Sequence, residues 1–404
     1  MTVAQGIYKI VSYKKQSGLG TPATGSGGTQ LRRETATFEK KKNTYNSNEI
    51  VSHQQYTGDT YGTSMTDGEL NDVLSAGSFA PFFGSLCRKD FATVSAITGL
   101  TIAIAGTGPY TITRSAGSFL TDGVKAGDVV RLTAGSFTGT ALNLNLVVVS
   151  LTATVLTVLV PNGKSLTAQS GVTAATLSIA GKKSVAPSSG QTNDYYTMEE
   201  WFADISRSRL YTDTQVASAD VSIPANGNST VKFSFLGLGR QKNATQQLTS
   251  PAAASTTAIL TAANAAILIN ASQTLVGTSL SLKIDGQLQS GEPVIGSKTI
   301  SDNIKGDLKV SGTVTILKQD ETNSDLFDAE TAIPILGILF ADTSDTSDFI
   351  GFSIPRAKIF SDAVDDGKKQ LISTHNFTAE YNGIGGGAAL AYDTGIVSIQ
   401  DSAA

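Results

Sequence analysis

Cysteine, histidine and an excess of charge are what this chain of 404 residues has least of. Its one cysteine, Cys87, excludes an intramolecular disulfide, and a small buried apolar role is expected for it. The two histidines, His53 and His375, lie far apart in strand-like runs without metal-ligand spacing. Structural or surface roles are expected of both, with no metal and no cofactor. Only 16% of the residues are charged, and the 30 Lys and Arg are outweighed by 34 Asp and Glu, for a formal net charge of −4. That balance gives no basic footprint for holding nucleic acid, although it leaves room for one that passes without being held. No apolar run approaches the roughly 18 residues of a membrane span; the nearest, Ala263 to Ala271, is too short. The first residues lack the basic and apolar regions of a signal peptide. A chain made and folded as a soluble cytosolic protein, without membrane insertion, is the expectation.

What the chain does have is glycine (40 residues), abundant Ser, Thr and Ala, and 40% hydrophobic residues. Such a composition favours β-structure with many tight turns. One pattern occurs twice: Trp201-Phe202-Ala203-Asp204-Ile205-Ser206 and Leu339-Phe340-Ala341-Asp342-Thr343-Ser344. Each copy is followed by a polar gap, a strand-like run, a turn and another strand-like run. Ahead of the two lie Val51-Ser52 with Gly58-Asp59, and Ile300-Ser301 with Gly306-Asp307. Two copies of one β unit in a chain point to pseudo-symmetric architecture rather than to catalysis.

Between about 92 and 184 the composition turns to Thr, Ala, Val, Leu and Gly with few aromatics. Six short apolar runs separated by turn signals such as Asp122-Gly123 and Asn162-Gly163 predict a small β-barrel or immunoglobulin-like sandwich inserted into the outer pattern. The division that follows is a first unit from 1–91 and 185–240, the insertion at 92–184, a linker at 241–257, and a second unit at 258–404. Phe79, Phe82, Phe83 and Leu86 fall on one helical face, with Ser78 as the expected N-cap. A second short helix is expected over Glu321 to Ala329. Ala225-Asn226-Gly227-Asn228 between two alternating runs predicts a hairpin.

No constellation of nucleophile, acid and base emerges, so no enzyme is expected. Gly383-Ile384-Gly385-Gly386-Gly387 lacks the Lys-Ser/Thr of a phosphate loop and reads as a flexible turn. Ser361-Asp362-Ala363-Val364-Asp365-Asp366-Gly367 lacks calcium-loop spacing and reads as a solvated turn. Acidic residues thread the second copy, among them Glu292, Asp302, Asp307, Asp320, Glu321, Asp325 and Asp328, while Lys40, Lys41 and Lys42 face Glu49 and Asp59. A solvated sheet face is one reading of this set. The other is a weakly negative lining that keeps a polyanion sliding, with Asp59, Glu292, Asp302 and Asp307 as its candidates.

At Lys15-Gln16-Ser17-Gly18-Leu19-Gly20-Thr21-Pro22-Ala23, Leu31-Arg32-Arg33, Tyr196-Thr197-Met198-Glu199-Glu200-Trp201-Phe202 and Ile223-Pro224-Ala225-Asn226-Gly227, the chain resembles the tail tube proteins of long-tailed bacteriophages. Residues 119–130 also resemble modules inserted in such proteins. The resemblance implies a mainly β fold: two tube-like sandwich or barrel units, each flanked by a short helix, plus the inserted small β domain. It implies stacked, usually sixfold rings around a DNA conduit, with other tail proteins at the tube ends and no catalytic residue. A duplicated chain would then form a trimeric, pseudo-sixfold ring. An N-terminal arm (Ser17, Gly18, Leu19, Gly20, Thr21, Pro22) and a loop opened by Lys40, Lys41, Lys42 and Asn43 are the expected links between rings, mobile until docked. A surface-exposed adhesive protein of β modules is the alternative reading.

Overall fold

The computed structural model describes residues 3–53, 55–274, 276–383 and 391–404, and the chain is mainly β. The first unit opens with β1 (Lys9–Lys15) and β2 (Thr29–Gln30), then the long hairpin β3 (Thr35–Asn46) and β4 (Asp59–Val73), then helix α1 (Ala80–Cys87). Next come β5 (Ile97–Ala105), β6 (Tyr110–Arg114), β7 (Val129–Ala134), β8 (Leu146–Leu151), β9 (Val155–Leu159) and β10 (Gln169–Ile179). These six close into a barrel in the order β10-β5-β6-β9-β8-β7. The first unit resumes through β11 (Lys182–Val185), β12 (Tyr196–Phe202), β13 (Arg207–Pro224), β14 (Thr230–Gly237) and β15 (Gly239–Asn243). The second unit comprises β16 (Ala265–Ile269), β17 (Ser272–Gln273), β18 (Gly277–Asp285), β19 (Leu288–Ser290), β20 (Asn303–Lys305) and β21 (Lys309–Leu317), then helix α2 (Thr322–Asp328). It ends with β22 (Ile333–Phe340), β23 (Phe349–Val364), β24 (Ile372–Ala379) and β25 (Ser398–Asp401).

The pairing pattern occurs twice. β1 pairs with β2 and β12, as β16 pairs with β17 and β22. β13 and β23 are both long strands shared by two layers. The first half of each pairs with the strand before it, β12 or β22. The second half pairs with the strand after it, β14 or β24. Even the bulges coincide, between Val216 and Ser218 and between Ile359 and Ser361. Bulges change local twist and fix register, so matched bulges mean matched curvature. Phe38, Gly68, Phe235 and Val216 line up across four strands of the first unit. Leu282, Gly312, Phe377 and Ile359 line up in the second. Glycine is required in both rows. A Cβ on Gly68 would lie 2.2 Å from the Phe38 ring, and one on Gly312 would lie 2.5 Å from that of Phe377.

The two units share one sheet. The second half of β13 pairs antiparallel with β18, from Ser218↔Asp285 to Pro224↔Ser279. The result is an eight-strand run, β3-β4-β14-β13-β18-β21-β24-β23. One face carries the main core, in which Phe82, Phe83, Phe233 and Phe235 pack edge-on or tilted. α1 is buried along nearly its whole length, which explains its apolar Phe79, Phe82, Phe83 and Leu86. Its N-cap is Phe79 rather than Ser78, whose hydroxyl instead bonds to that of Ser75 at 2.6 Å. α2 forms where expected but buries no residue fully.

A second layer lies behind this sheet. In the second unit it contains β16, β22 and β25, and the barrel docks on its outer face. Leu336, Ile338 and Phe340 point to Val129 and Val147 of the barrel, while Ile333, Ile335 and Leu339 point to the main core. Gln400 on β25 bridges the two bodies: it accepts from Val129 N–H (2.8 Å) and donates to Val129 O (2.9 Å) and Ala180 O (2.6 Å). Lys183 is buried between Asp128 and Asp393, and the two carboxylates hold its ammonium above the ordinary lysine range. Removing this cation leaves two buried carboxylates without their ion-pair partner, with the Lys125 charge nearby. Lys183→Met should therefore lower the unfolding free energy in denaturant titrations by roughly 3–5 kcal/mol. Burial pushes the Asp128 carboxyl up to about 6 from 3.8. Without the ammonium the carboxyl rises further still, so the loss should shrink as pH falls towards about 6, where the buried carboxyl of the variant is already protonated.

Candidate functional site

The sheet face opposite the core is the candidate working surface. It is concave and forms a trough of about 600 Å3 across β4, β14, β13, β18, β21 and β24. Strand alternation puts polar side chains on it in cross-strand rows. One row reads Thr35, Asn71, Lys232, Asp220, Lys283, Ser311, Thr378, Lys358. The next reads Thr37, Glu69, Ser234, Ser218, Asp285, Lys309.

Charges on these rows neutralise one another locally. Lys232 meets Glu69 at 2.9 Å, Lys283 lies 3.7 Å from Asp285 and Lys358 meets Glu380 at 3.2 Å; beyond these rows Lys41 meets Asp67 at 2.6 Å. Asp220 stands opposite Lys232 on one side and Lys283 on the other. The face is short in side chain, hydroxyl-rich and close to neutral. Among the described residues no group of His, Cys, Asp and Glu could hold a metal ion. Cys87 is buried away from the face, and burial pushes its thiol up to about 12.

The four acidic candidates lie elsewhere. Asp59 is the first residue of β4, beyond the reach of β14, and is exposed. Glu292 lies in the loop after β19, and Asp302 and Asp307 flank β20. Glu292 and Asp307 are exposed, whereas Asp302 accepts from the Tyr195 hydroxyl at 2.7 Å. Asp59, Glu292 and Asp302 therefore border the loops that close the two hairpins, Asp307 lies at the other end of β20 near Arg88, and the lysines of the trough were not singled out by sequence. Only the cross-strand register shows that they share a face with Glu69, Asp220 and Asp285.

Lys40, Lys41, Lys42 and Asn43 do not open a loop. β3 continues to Asn46, paired through Asn46↔Asp59, and the loop is 47–58. The matching loop of the second unit is 291–302, of equal length. Ile50 and Ile295, one in each loop, are fully exposed, and Val294 is half exposed. The Val51-Ser52 and Ile300-Ser301 pairs fall in these loops but out of structural register with each other. The paired Phe-Ala-Asp motifs both close the β12–β13 and β22–β23 turns, one residue out of register.

The N-terminal arm folds onto its own subunit. Gly20 N–H donates to Asp213 Oδ1 (2.7 Å), Ala23 N–H to Thr197 Oγ1 (2.8 Å) and Gly25 N–H to Gln247 O (2.8 Å). Lys14 Nζ donates to Thr24 O and Ser26 O. Ser17 and Thr21 share a hydroxyl contact, and Leu19 and Pro22 face outwards. The arm covers the outer face of β12, the place that the barrel covers on β22.

Glu199 and Glu200, quoted above only as part of a motif, prove to be buried organisers. Glu199 accepts from Ser208 Oγ (2.5 Å), Gln247 N–H (2.6 Å) and Leu248 N–H (2.7 Å), which pins residues 247–248 against β12. Glu200 pairs with Lys9 at 2.6 Å and accepts from the Tyr211 hydroxyl at 3.1 Å. A carboxylate next to another in a strand gave no sequence signal separating a buried from a solvated role. The loop Ser361–Gly367 also differs from its reading. β23 runs to Val364, and Asp362 turns inward beside His375 at 3.3 Å. The Gly383–Gly387 turn lies largely outside the described residues.

The duplicated sheet thus has a polar concave face and a buried convex side. A family model described as phage tail tube protein matches residues 9–385. The chain belongs to that family and is a structural tail protein of a virion. No curated protein matches it. Glu199→Ala strands the amides of Gln247 and Leu248. It should cost about 3 kcal/mol and speed hydrogen exchange at both amides; unchanged exchange would assign the linker's order to other contacts.

Proposed function

We propose that this protein closes into rings of three copies, stacks them into the tail tube, and lines the resulting conduit with its concave polar face. The observation that carries this reading is the β13–β18 junction. Inside one chain, the free edge of the first unit is taken up by β18 of the second. The equivalent edges, β23 from Lys358 to Val364 and the outer side of β3, pair with no other strand among the described residues. α2 lies against β23 as α1 lies against β13, and α1 leaves the β13 edge free to pair with β18. Exposed edges invite pairing and are an aggregation hazard when left open. A ring that repeats the internal junction at every chain boundary consumes them all. Three two-unit chains supply the six units expected of the family.

DNA would pass along a face of hydroxyls and internally neutralised charges, without basic patches to hold phosphates. The exposed carboxylates of Asp59 and Glu292 would add weak repulsion at the hairpin ends, with Asp302 and Asp307 set back from them. Delivery of the genome into the host follows from such a pipe, as does docking of other tail proteins at its ends. Assembly in the host cytoplasm fits the same reading.

Stacking would use the hairpin ends and the outer side of the arm from Ser17 to Pro22. The second unit's loop already has its lateral neighbour inside the chain, because Ser64 N–H donates to Lys298 O (2.9 Å). Val294 and Ile295 nonetheless remain exposed, so their partner lies in the next ring. Ile50→Asp combined with Ile295→Asp should leave rings intact and abolish tubes in negative-stain images. Mass measurement of isolated rings should give three chains; six chains per ring would overturn the trimer.

A further inference from the structure

Resting on the ring reading, we propose a specific register for the contact between neighbouring copies: β23 of one copy pairs antiparallel with β3 of the next so that Asp362 stands opposite Lys40, Ala363 opposite Glu39 and Val364 opposite Phe38. The register follows from the duplication. Phe38 occupies the position of Leu282, since each lies opposite the glycine that faces the core phenylalanine. Ser361 occupies the position of Ser218, since each follows the bulge. The internal junction pairs Ala219 with Ile284, Asp220 with Lys283 and Val221 with Leu282. Transferred to the chain boundary, these become the three pairs named.

Three independent features of the open edges fit this register. Val364 is 45% exposed, whereas its internal counterpart Val221 is 2% exposed; Phe38 of the next copy would cover it. Asp362 points inward, with a side chain 17% exposed, beside a His375 side chain that is 4% exposed. Asp362 Oδ1 and both His375 ring nitrogens have no hydrogen-bond partner among the described residues. Burial holds the imidazole below its ordinary pKa, with Asp362 pulling it up and Lys318 pushing it down. The neighbouring Lys318 is engaged by Glu321 at 2.5 Å. The carboxylate of Asp362 thus has no committed cation. Lys40 is the complementary group: half-buried on β3, with no ion pair among the described residues.

The internal counterparts of this pair, Ala219 and Ile284, are both fully buried. An ion pair at a position that is apolar inside the chain gives the boundary between copies a requirement that the internal junction does not have. A misregistered or reversed contact leaves a desolvated charge alone.

Charge reversal tests it. Asp362→Lys and Lys40→Asp should each reduce the ring fraction by about tenfold or more, through like charges face to face, and the double variant should recover it. A second measurement does not depend on the buried pair: Glu39→Cys with Ala363→Cys should give covalently closed trimers under mild oxidation, because both sit on the concave face. Thr37→Cys with Ala363→Cys, which reports a slip of two residues, should not. Preferential linkage through Thr37, or single reversals that leave ring yield unchanged, would overturn the register while leaving the ring itself standing. If the wild-type chain never forms rings, the tube reading fails instead.

Discussion

An open β edge is the constraint on which the rest of this molecule depends. Every strand in the eight-strand run satisfies its backbone groups through a neighbour, and only the outermost strands have groups left over. The chain resolves one such edge internally at β13–β18. Seven consecutive residues pair there, without a register shift. Because the second unit repeats the first down to the bulge positions, it presents the same unmet need at its own far end. A protein built this way carries an unfinished sheet at its far end, which a second copy would complete in the proposed ring. Assembly would then repeat between chains the pairing made within one.

Curvature follows from the same elements. The paired bulges bend β13 and β23, so that one strand serves both layers of each unit. Gly68 and Gly312 let phenylalanine rings lie flat beneath the sheet. The bent sheet leaves its smaller polar side chains on the inside and its large apolar ones on the outside. That arrangement suits the proposed conduit: among the described residues of the trough, Lys232 and Lys283 lie beside Glu69 and Asp285, and Phe360 is an exposed aromatic at one edge. Aromatics would stack bases and unpaired lysines would hold phosphates.

The barrel and both helices were legible in the sequence because each rests on local pattern, whereas the paired motifs that suggested a duplication fall out of structural register. The Asn226-Gly227 turn, the Phe79–Leu86 stripe and the six apolar runs of the barrel are signals carried by neighbouring residues. What sequence did not yield was register. Lys40–Asn43 resemble a charged loop because their strand is exposed on both sides, so alternation is lost. Asp362 reads as part of a solvated acidic turn because a buried carboxylate and a solvated one are the same letter. The lysines of the trough were passed over for the same reason: Lys232 and Lys283 flank Asp220 only once three strands from distant parts of the chain are laid side by side.

Duplication also frees the two units to differ on their convex sides. On the outer face of β22, Leu336, Ile338 and Phe340 form an apolar bed for the barrel. On the matching face of β12, Thr197 and Glu199 make a polar bed that binds the backbone of the arm and linker. A single-unit protein repeated around a ring would have to place the same attachment at every position. Two units fused in one chain alternate them, with a barrel on one and an arm on the next. The inner faces, which form a continuous wall, have kept the same register and the same bulges. Constraint is therefore strongest at the sheet, where each strand must match a neighbour on both sides, and weakest on the convex side, where each unit answers only to its own cover.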